Sequence, residues 1–168
     1  MALGKTHDGI NLFVGMIITG FLIGFGFGVF SWPSFIIGWL FSTLLFSPDT
    51  DLMPKKRSGL LQFFLYPYSI IFKHRGLSHG LLLGTLTRVT YGIILGGILV
   101  FVLSKMGYLA IEAEGYWRGL FEFVSEYSYQ QPIYKSVTWL YLGLASADAC
   151  HIFIDKLSSM FTKLKRNY

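Results

Sequence analysis

The chain has 168 residues, of which 53% are hydrophobic, 18% aromatic and only 14% charged. Soluble domains carry fewer apolar and more charged residues, so this composition predicts a membrane protein, and the length fits one domain over residues 1–168. In a membrane chain the net charge of +5 is more typical of a topology signal than of a nucleic-acid-binding surface. The single Cys150 excludes an internal disulfide and is expected in the core.

The first predicted span covers residues 10–30, an uncharged run that reaches the roughly 20 residues needed to cross a bilayer. Lys5 precedes this run as it would in a signal peptide. The run is too long for one and no cleavage site follows, so we expect a retained helix. Gly20, Gly24 and Gly28 recur every fourth residue. That spacing favours close packing of this helix against another backbone.

A second, shorter span is predicted over residues 34–46, after a chain break at Pro33. The following segment, residues 60–72, is rich in aromatic residues but is interrupted by Gln62 and Pro67. This pattern favours an interfacial helix or a re-entrant loop over a third span.

The last two spans are predicted over residues 80–103 and 133–154. The fold class is therefore all-α: a polytopic membrane bundle of about four transmembrane helices, with an interfacial helix between the second and the third. The loop of residues 104–132 holds all four glutamates, and the sequence predicts no role for it.

Basic residues are concentrated in the loop between the second and third spans and in the C-terminal tail. By the positive-inside rule both segments are cytoplasmic and the acidic loop is external. Four crossings then place both termini in the cytoplasm, and we expect the protein in a bacterial inner membrane or a cyanobacterial membrane. The basic residues are Lys55, Lys56, Arg57, Lys73, Arg75, Lys156, Lys163, Lys165 and Arg166.

All four histidines and all five aspartates fall in four short motifs, and the predicted topology brings these motifs to the cytoplasmic ends of the helices. Imidazole and carboxylate together form the ligand set of a borderline divalent cation. The pattern therefore predicts a metal site assembled by membrane helices. Its predicted ligands are His7, Asp8, Asp49, Asp51, His74, His79, Asp148, His151 and Asp155.

Three of these residues lie on the last predicted span. Asp148, His151 and Asp155 are spaced i, i+3 and i+7, which puts them on one helix face. Ionisable groups on an apolar helix need a partner, and a metal ion is the simplest common one; the alternative is a cluster of interhelical hydrogen bonds. Arg88 lies about as deep in its span as Asp148 and could pair with it. We favour a ligand role for Asp148 because the other two residues continue its stripe.

Nine ligands exceed the three or four that one catalytic zinc uses, so we predict two ions about 3.5 to 4 Å apart. Zinc, manganese, iron or nickel suit these ligands better than magnesium does. Two such ions suit hydrolysis of a phosphoester. The catalytic candidates are Asp51, Ser78 and Arg75, and Arg75 is the expected phosphate clamp. The basic run of residues 55–57 either attracts anionic headgroups or only determines topology.

Taken together, the motifs resemble those of small bacterial and cyanobacterial integral-membrane metal-binding proteins. These are similar in pattern to the LexA-regulated inner-membrane metal-dependent hydrolases. The resemblance implies a divalent-metal site and a hydrolase activity, and the larger grouping looks like the helical zinc-dependent phospholipase C and nuclease folds. The matching pieces are Lys5–Asp8, Pro48–Asp51, His74–Gly80 and the Asp148, His151 and Asp155 set.

The leading hypothesis is a membrane-embedded phosphatase that acts on a lipid phosphate at the cytoplasmic leaflet. One alternative is a non-catalytic protein that stores, senses or transfers metal, and another is a scaffold whose polar residues only join helices. Ion transport is disfavoured because the external half of every span is nearly free of ligands. The expected partners are membrane lipids and a lipid-phosphate substrate but no nucleic acid, and self-association is left open.

Overall fold

The computed structural model of the chain describes residues 4–44, 61–71 and 83–166, and these residues form six α-helices and no strand. The predicted all-helical class is therefore confirmed for the described part of the chain. The helices are α1 (Gly4–Gly24), α2 (Trp32–Leu44), α3 (Leu61–Ile71), α4 (Leu83–Lys105), α5 (Ala113–Ser125) and α6 (Pro132–Arg166).

The helix of the first predicted span ends at Gly24, six residues before the predicted limit. Gly26 has a φ of 74°, a left-handed conformation that glycine adopts without steric cost. The amides of Gly26 and Phe27 donate to the carbonyls of Ile23 and Leu22, each at 3.0 Å. This Schellman arrangement stops the helix although the apolar sequence continues.

Two of the helices are long and apolar enough to cross a membrane, α4 over its whole length and α6 over Pro132–Phe161. The helical part of α1 from Asp8 to Gly24 and the 13 residues of α2 are apolar but shorter. At 1.5 Å per residue, α2 extends about 20 Å, against the roughly 30 Å of a bilayer core. The finding is thus two candidate spans, and the four-span topology stays a prediction.

The two long helices keep much of their apolar surface outside the protein. Only 11% of the apolar window of α4 and 33% of that of α6 is buried. On α4, Ile98, Leu99, Phe101 and Val102 are all exposed. An apolar surface of this extent is typical of contact with lipid or with another protein rather than with water.

Glycines let α2 and α6 approach to backbone contact. A Cβ atom added at Gly38 would lie 2.1 Å from the carbonyl oxygen of Leu140, and one added at Gly143 would lie 2.1 Å from that of Phe35. Phe35 packs against Trp139, and Ser42 donates to Asp148, so the residue numbers rise together along the contact and the two helices run parallel. Small residues at such a crossing are the usual device for close packing in membranes.

The glycine strip predicted to pack does not do so within the described residues. No atom lies within 4 Å of a Cβ atom added at Gly20, Gly24 or Gly28. Among the described residues, the close backbone contact that glycine permits forms between α2 and α6 instead.

Aromatic rings fill the space among α1, α2 and α6. Phe35 and Trp39 of α2 pack with Ala147 of α6 to form the core. The Trp39 indole N–H donates to the backbone carbonyl of Asn11 at 3.0 Å, which ties α2 to α1. Cys150, which we expected in the core, is partly buried and packs against this cluster.

Polar contacts at one end of the bundle fix the relative directions of four helices. The Asn11 side-chain amide donates to the Thr43 hydroxyl at 3.1 Å and to the Ala147 carbonyl at 3.3 Å. Asp148, the next residue of α6, contacts α4 near its beginning through Arg88. α1 and α4 therefore begin at this end of the bundle, and α2 ends at it. Residues 147 and 148 of α6 lie at the same end. We call this the polar end.

A helix that was not predicted, α5, lies in the acidic loop. It packs across α4, where the Tyr116 hydroxyl donates to the Ile93 carbonyl at 2.9 Å. A Cβ atom added at Gly97 would lie 2.6 Å from the ring of Trp117. The contact depends on the absence of a side chain at this glycine, which lies in the half of α4 farther from the polar end.

Candidate metal centre

The structure describes the side chains of four of the nine predicted ligands: Asp8, Asp148, His151 and Asp155. His7 lies within α1, but its side chain is outside the described part. The remaining predicted ligands and the three catalytic candidates also lie outside the described residues, and their roles stay predictions. They are Asp49, Asp51, His74, Arg75, Ser78 and His79.

Asp148 accepts four hydrogen bonds at the polar end. Its Oδ1 accepts hydrogen bonds from the Ser42 hydroxyl at 2.5 Å and from Arg88 Nη1 at 3.0 Å. Its Oδ2 accepts from Arg88 Nη2 at 2.5 Å and from the Thr85 hydroxyl. The carboxylate is 1% exposed, so these donors replace its hydration completely.

The geometry assigns Asp148 to the ion pair, the less favoured of the two roles that the sequence left open. A carboxylate offers about four lone-pair sites, and four donors occupy them here. The bidentate pair with Arg88 compensates the charge of both residues inside an apolar region. The sequence suggested a common metal because Asp148, His151 and Asp155 lie on one helix face. The spacing does not reveal that α2 and α4 place hydrogen-bond donors beside Asp148.

His151 and Asp155 follow Asp148 by about one and two turns of α6. The Nε2 atom of His151 lies 3.6 Å from Oδ2 of Asp155. Two ligand atoms that share one tetrahedral zinc ion at about 2.1 Å lie about 3.4 Å apart, so these side chains need little adjustment to hold one ion. His151 is buried and Asp155 is partly exposed, so the pair lies at the margin of the packed bundle.

Asp8 of α1 lies at the same level of the bundle as His151. Asn11, three residues after Asp8, contacts Ala147, four residues before His151. Because α1 and α6 run in opposite directions, one further turn on each helix leads to Asp8 and to His151. Asp8 is buried, as expected for a carboxylate that faces a neighbouring helix.

The described residues alone do not complete a metal site. No group of three or more histidine, cysteine, aspartate or glutamate side chains in metal-binding arrangement occurs among them. The donor chemistry nevertheless fits a divalent cation, because a buried imidazole and a carboxylate at i, i+4 form a common helical chelate.

Sequence reasoning overlooked three buried polar residues of the polar end, namely Asn11, Ser42 and Thr85. Each is at most 2% exposed. The available signal was their position: each is a polar residue in an apolar helix, at the same predicted end as the motifs. Side chains of this kind commonly hydrogen-bond between membrane helices.

The comparisons with known proteins concern the chain as a whole and name no ligand residues. The sequence model of a family described as "Uncharacterized metal-binding protein (DUF2227)" matches residues 2–165. The chain belongs to this family. A relative from Aquifex aeolicus (strain VF5), described as an uncharacterized protein, is 33% identical over 136 residues, which are 77% of this chain and 92% of the relative. No solved structure matches the chain.

Membership in this family supports the metal-binding part of the predicted function. The family description mentions metal binding and names no reaction. The identity and number of the ions stay predictions, as does the hydrolase activity implied by the resemblance.

Proposed function

We propose that the protein is a membrane-embedded, divalent-metal-dependent hydrolase of a phosphoester such as a lipid phosphate. The observation that carries the proposal is the His151 and Asp155 pair, 3.6 Å apart at the polar end. Asp8 lies at the same level on a different helix. In the proposal, an imidazole and carboxylates from these two helices share a metal ion.

The predicted ligands outside the described residues would complete this site. His7 is adjacent to Asp8 in sequence, and Asp49 follows the end of α2 by five residues. His79 precedes the start of α4 by four residues. In the proposal these residues hold one or two divalent ions together with Asp8, His151 and Asp155. An ion bound there would supply positive charge that stabilises charge developing on phosphoester oxygens.

The chain's own residues would orient the substrate. Arg75 is proposed to hold the phosphate through bidentate hydrogen bonds. The exposed Lys156 and Lys163 follow Asp155 on α6 and extend a positive surface beyond the site. Positive charge next to an apolar surface favours anionic lipid headgroups, which supports an amphiphilic substrate.

A second candidate is a non-catalytic metal-binding protein that stores, senses or transfers the ion. Two observations favour it. The family description names metal binding without a reaction. Arg88, the buried cation of the polar end, is engaged by Asp148 rather than directed toward a substrate.

Metal analysis and a hydrolysis assay on the same preparations separate these candidates. Protein purified in detergent is treated with chelator, reloaded with Zn²⁺, Mn²⁺ or Fe²⁺, and assayed for phosphate release from lipid phosphates. We expect His151→Ala to lose at least half of the bound metal and about 100-fold of the activity, since ligand loss disrupts the metal centre. Glu122→Ala, at an exposed position of α5, is the matched control and should change neither quantity.

Two results would contradict the hydrolase. Stoichiometric metal that depends on His151, without hydrolysis of any phosphoester, would establish the second candidate instead. If the wild-type protein bound no metal after loading, both candidate functions would be excluded.

A further inference from the structure

We infer that the Arg88–Asp148 ion pair is a positioning device for the metal site: it fixes the rotation and depth of α6 so that His151 faces the bundle. This inference rests on the proposed metal site. It gives Asp148, Arg88, Ser42 and Thr85 a function distinct from that of the ligands.

Asp148 joins α6 to two other helices at once. Ser42 donates to it from α2, and Thr85 and Arg88 donate to it from α4. Because each carboxylate oxygen accepts one hydroxyl and one guanidinium N–H, the carboxylate plane has a single orientation. A rotation of α6 about its axis would break several of these hydrogen bonds together.

Arg88 is itself held in place. Its Nε donates to the carbonyl of Gly84 at 3.0 Å, while both terminal nitrogens donate to Asp148. The guanidinium is 5% exposed. Three of its five N–H groups are thus engaged by Gly84 and Asp148, and the guanidinium holds α6 in a fixed position relative to α4.

The described side chains leave a cavity beside the ion pair, where α4 faces α2 and α6. A cavity of about 130 Å³ adjoins Arg88 and Asp148 and is lined by Phe41, Val89 and Leu144. Side chains around a cavity lose contacts that would otherwise hold neighbouring helices in register. The directional hydrogen bonds of Asp148 thus specify the position of α6 relative to α4, in addition to the close packing of α6 on α2.

Because less than one helical turn separates Asp148 from His151, fixing the position of Asp148 also fixes that of His151. The two residues are three positions apart, about 4.5 Å along the axis, and lie on the same face. His151 is 4% exposed, so its ring cannot compensate for a helix rotation by moving into solvent. Groups that orient a metal ligand typically change metal affinity 10- to 100-fold when they are removed.

The test replaces the pair by apolar residues and measures the metal site itself. Arg88→Leu combined with Asp148→Leu removes both charges together, so no buried charge is left unpaired and the fold can persist. Co²⁺ titration of the chelator-treated protein reports affinity and, through its visible absorption, ligand geometry. We expect the double variant to retain its helix content, to bind Co²⁺ about 10-fold or more weakly, and to show an altered absorption spectrum.

The matched control is the exposed ion pair of α5. Arg118 contacts Glu114 at 2.5 Å, and both side chains are mostly exposed. Arg118→Leu with Glu114→Leu makes the same chemical change far from the polar end. It should leave both the Co²⁺ affinity and the spectrum as in the wild type.

Several outcomes would overturn the inference. An unchanged spectrum and affinity in the Arg88 and Asp148 double variant would make the pair purely structural. Tighter Co²⁺ binding in Arg88→Leu alone would show that Asp148, once released, is itself a ligand. Failure of the wild type to bind Co²⁺ would instead contradict the proposed function.

Thr85→Val provides a milder variant that keeps both charges. It removes one of the four hydrogen bonds to Asp148. A twofold to fivefold loss of Co²⁺ affinity with an intact fold supports positioning, and no change would contradict it even if the double variant failed to fold.

Discussion

At the scale of single residues, the polar end divides its ionisable groups between two environments. Asp148 is surrounded by donors from α2 and α4. One turn further along α6, the Nε2 atom of His151 lies 3.6 Å from Oδ2 of Asp155. A carboxylate surrounded by donors is satisfied as an anion, whereas an imidazole beside a carboxylate suits a cation between them.

Two glycines at the α2 and α6 contact give a prediction at the same scale. Gly143→Ala should lower the free energy of unfolding by about 1 to 3 kcal/mol, because overpacking forces two backbones apart. The added Cβ atom would meet the carbonyl of Phe35, which cannot rotate away as a side chain would. Unfolding in mixed detergent micelles, followed by circular dichroism, measures the change.

Gly20→Ala is the control, because no described atom lies within 4 Å of the added Cβ atom. It should be neutral or stabilise α1 by about 0.5 to 1 kcal/mol through helix propensity. Equal effects of the two substitutions would show that the close approach of α2 and α6 is not specific.

At the scale of elements, the sequence predicts the helices better than it predicts their ends and partners. A run of apolar residues identifies α4 and α6, because both helices are long and apolar enough to cross a bilayer. The end of α1 depends on the left-handed backbone conformation of Gly26, which hydropathy does not predict. The pairing of Arg88 with Asp148 depends on a contact over 60 residues of chain, which no local pattern specifies.

The helix α5 was missed because four glutamates dominate the composition of its loop. Its apolar residues lie on one side, where Trp117, Phe121 and Val124 follow at i, i+4 and i+7. That spacing is the helical period, which was available in the sequence.

The contact between α5 and α4 can be tested at Gly97. Gly97→Leu should displace the ring of Trp117, which lies 2.6 Å from an added Cβ atom. Since Tyr116 would also lose its hydrogen bond to Ile93, we expect amides 113–125 to exchange hydrogen about tenfold faster. Mass spectrometry after proteolysis measures the exchange.

Gly92→Leu is the matched change on the same helix, where no described atom lies within 4 Å. Exchange in α5 should remain at the wild-type rate in this variant. Rapid exchange in the wild type itself would contradict a stable contact between α5 and α4.

At the scale of the whole molecule, the polar contacts and the acidic loop lie at opposite ends of the bundle. Asn11, Thr43 and Asp148 define the polar end. α5 packs near Gly97, about nine residues along α4 from Arg88 and therefore about 13 Å away from the polar end. A molecule with distinct ends and an apolar surface between them is suited to a membrane with two different sides.

The predicted orientation places the polar end in the cytoplasm and α5 outside. In a Cys150→Ser background, Ser125→Cys at the end of α5 and Lys163→Cys near the end of α6 each introduce one exposed thiol. A membrane-impermeant maleimide added to intact bacterial cells that express the variants should label position 125 and leave position 163 unlabelled, because the charged reagent cannot cross the bilayer. Cell lysis should make both positions reactive. Labelling of both positions in intact cells, or of position 163 alone, would contradict a cytoplasmic polar end and exclude the cytoplasmic leaflet as the source of the proposed substrate.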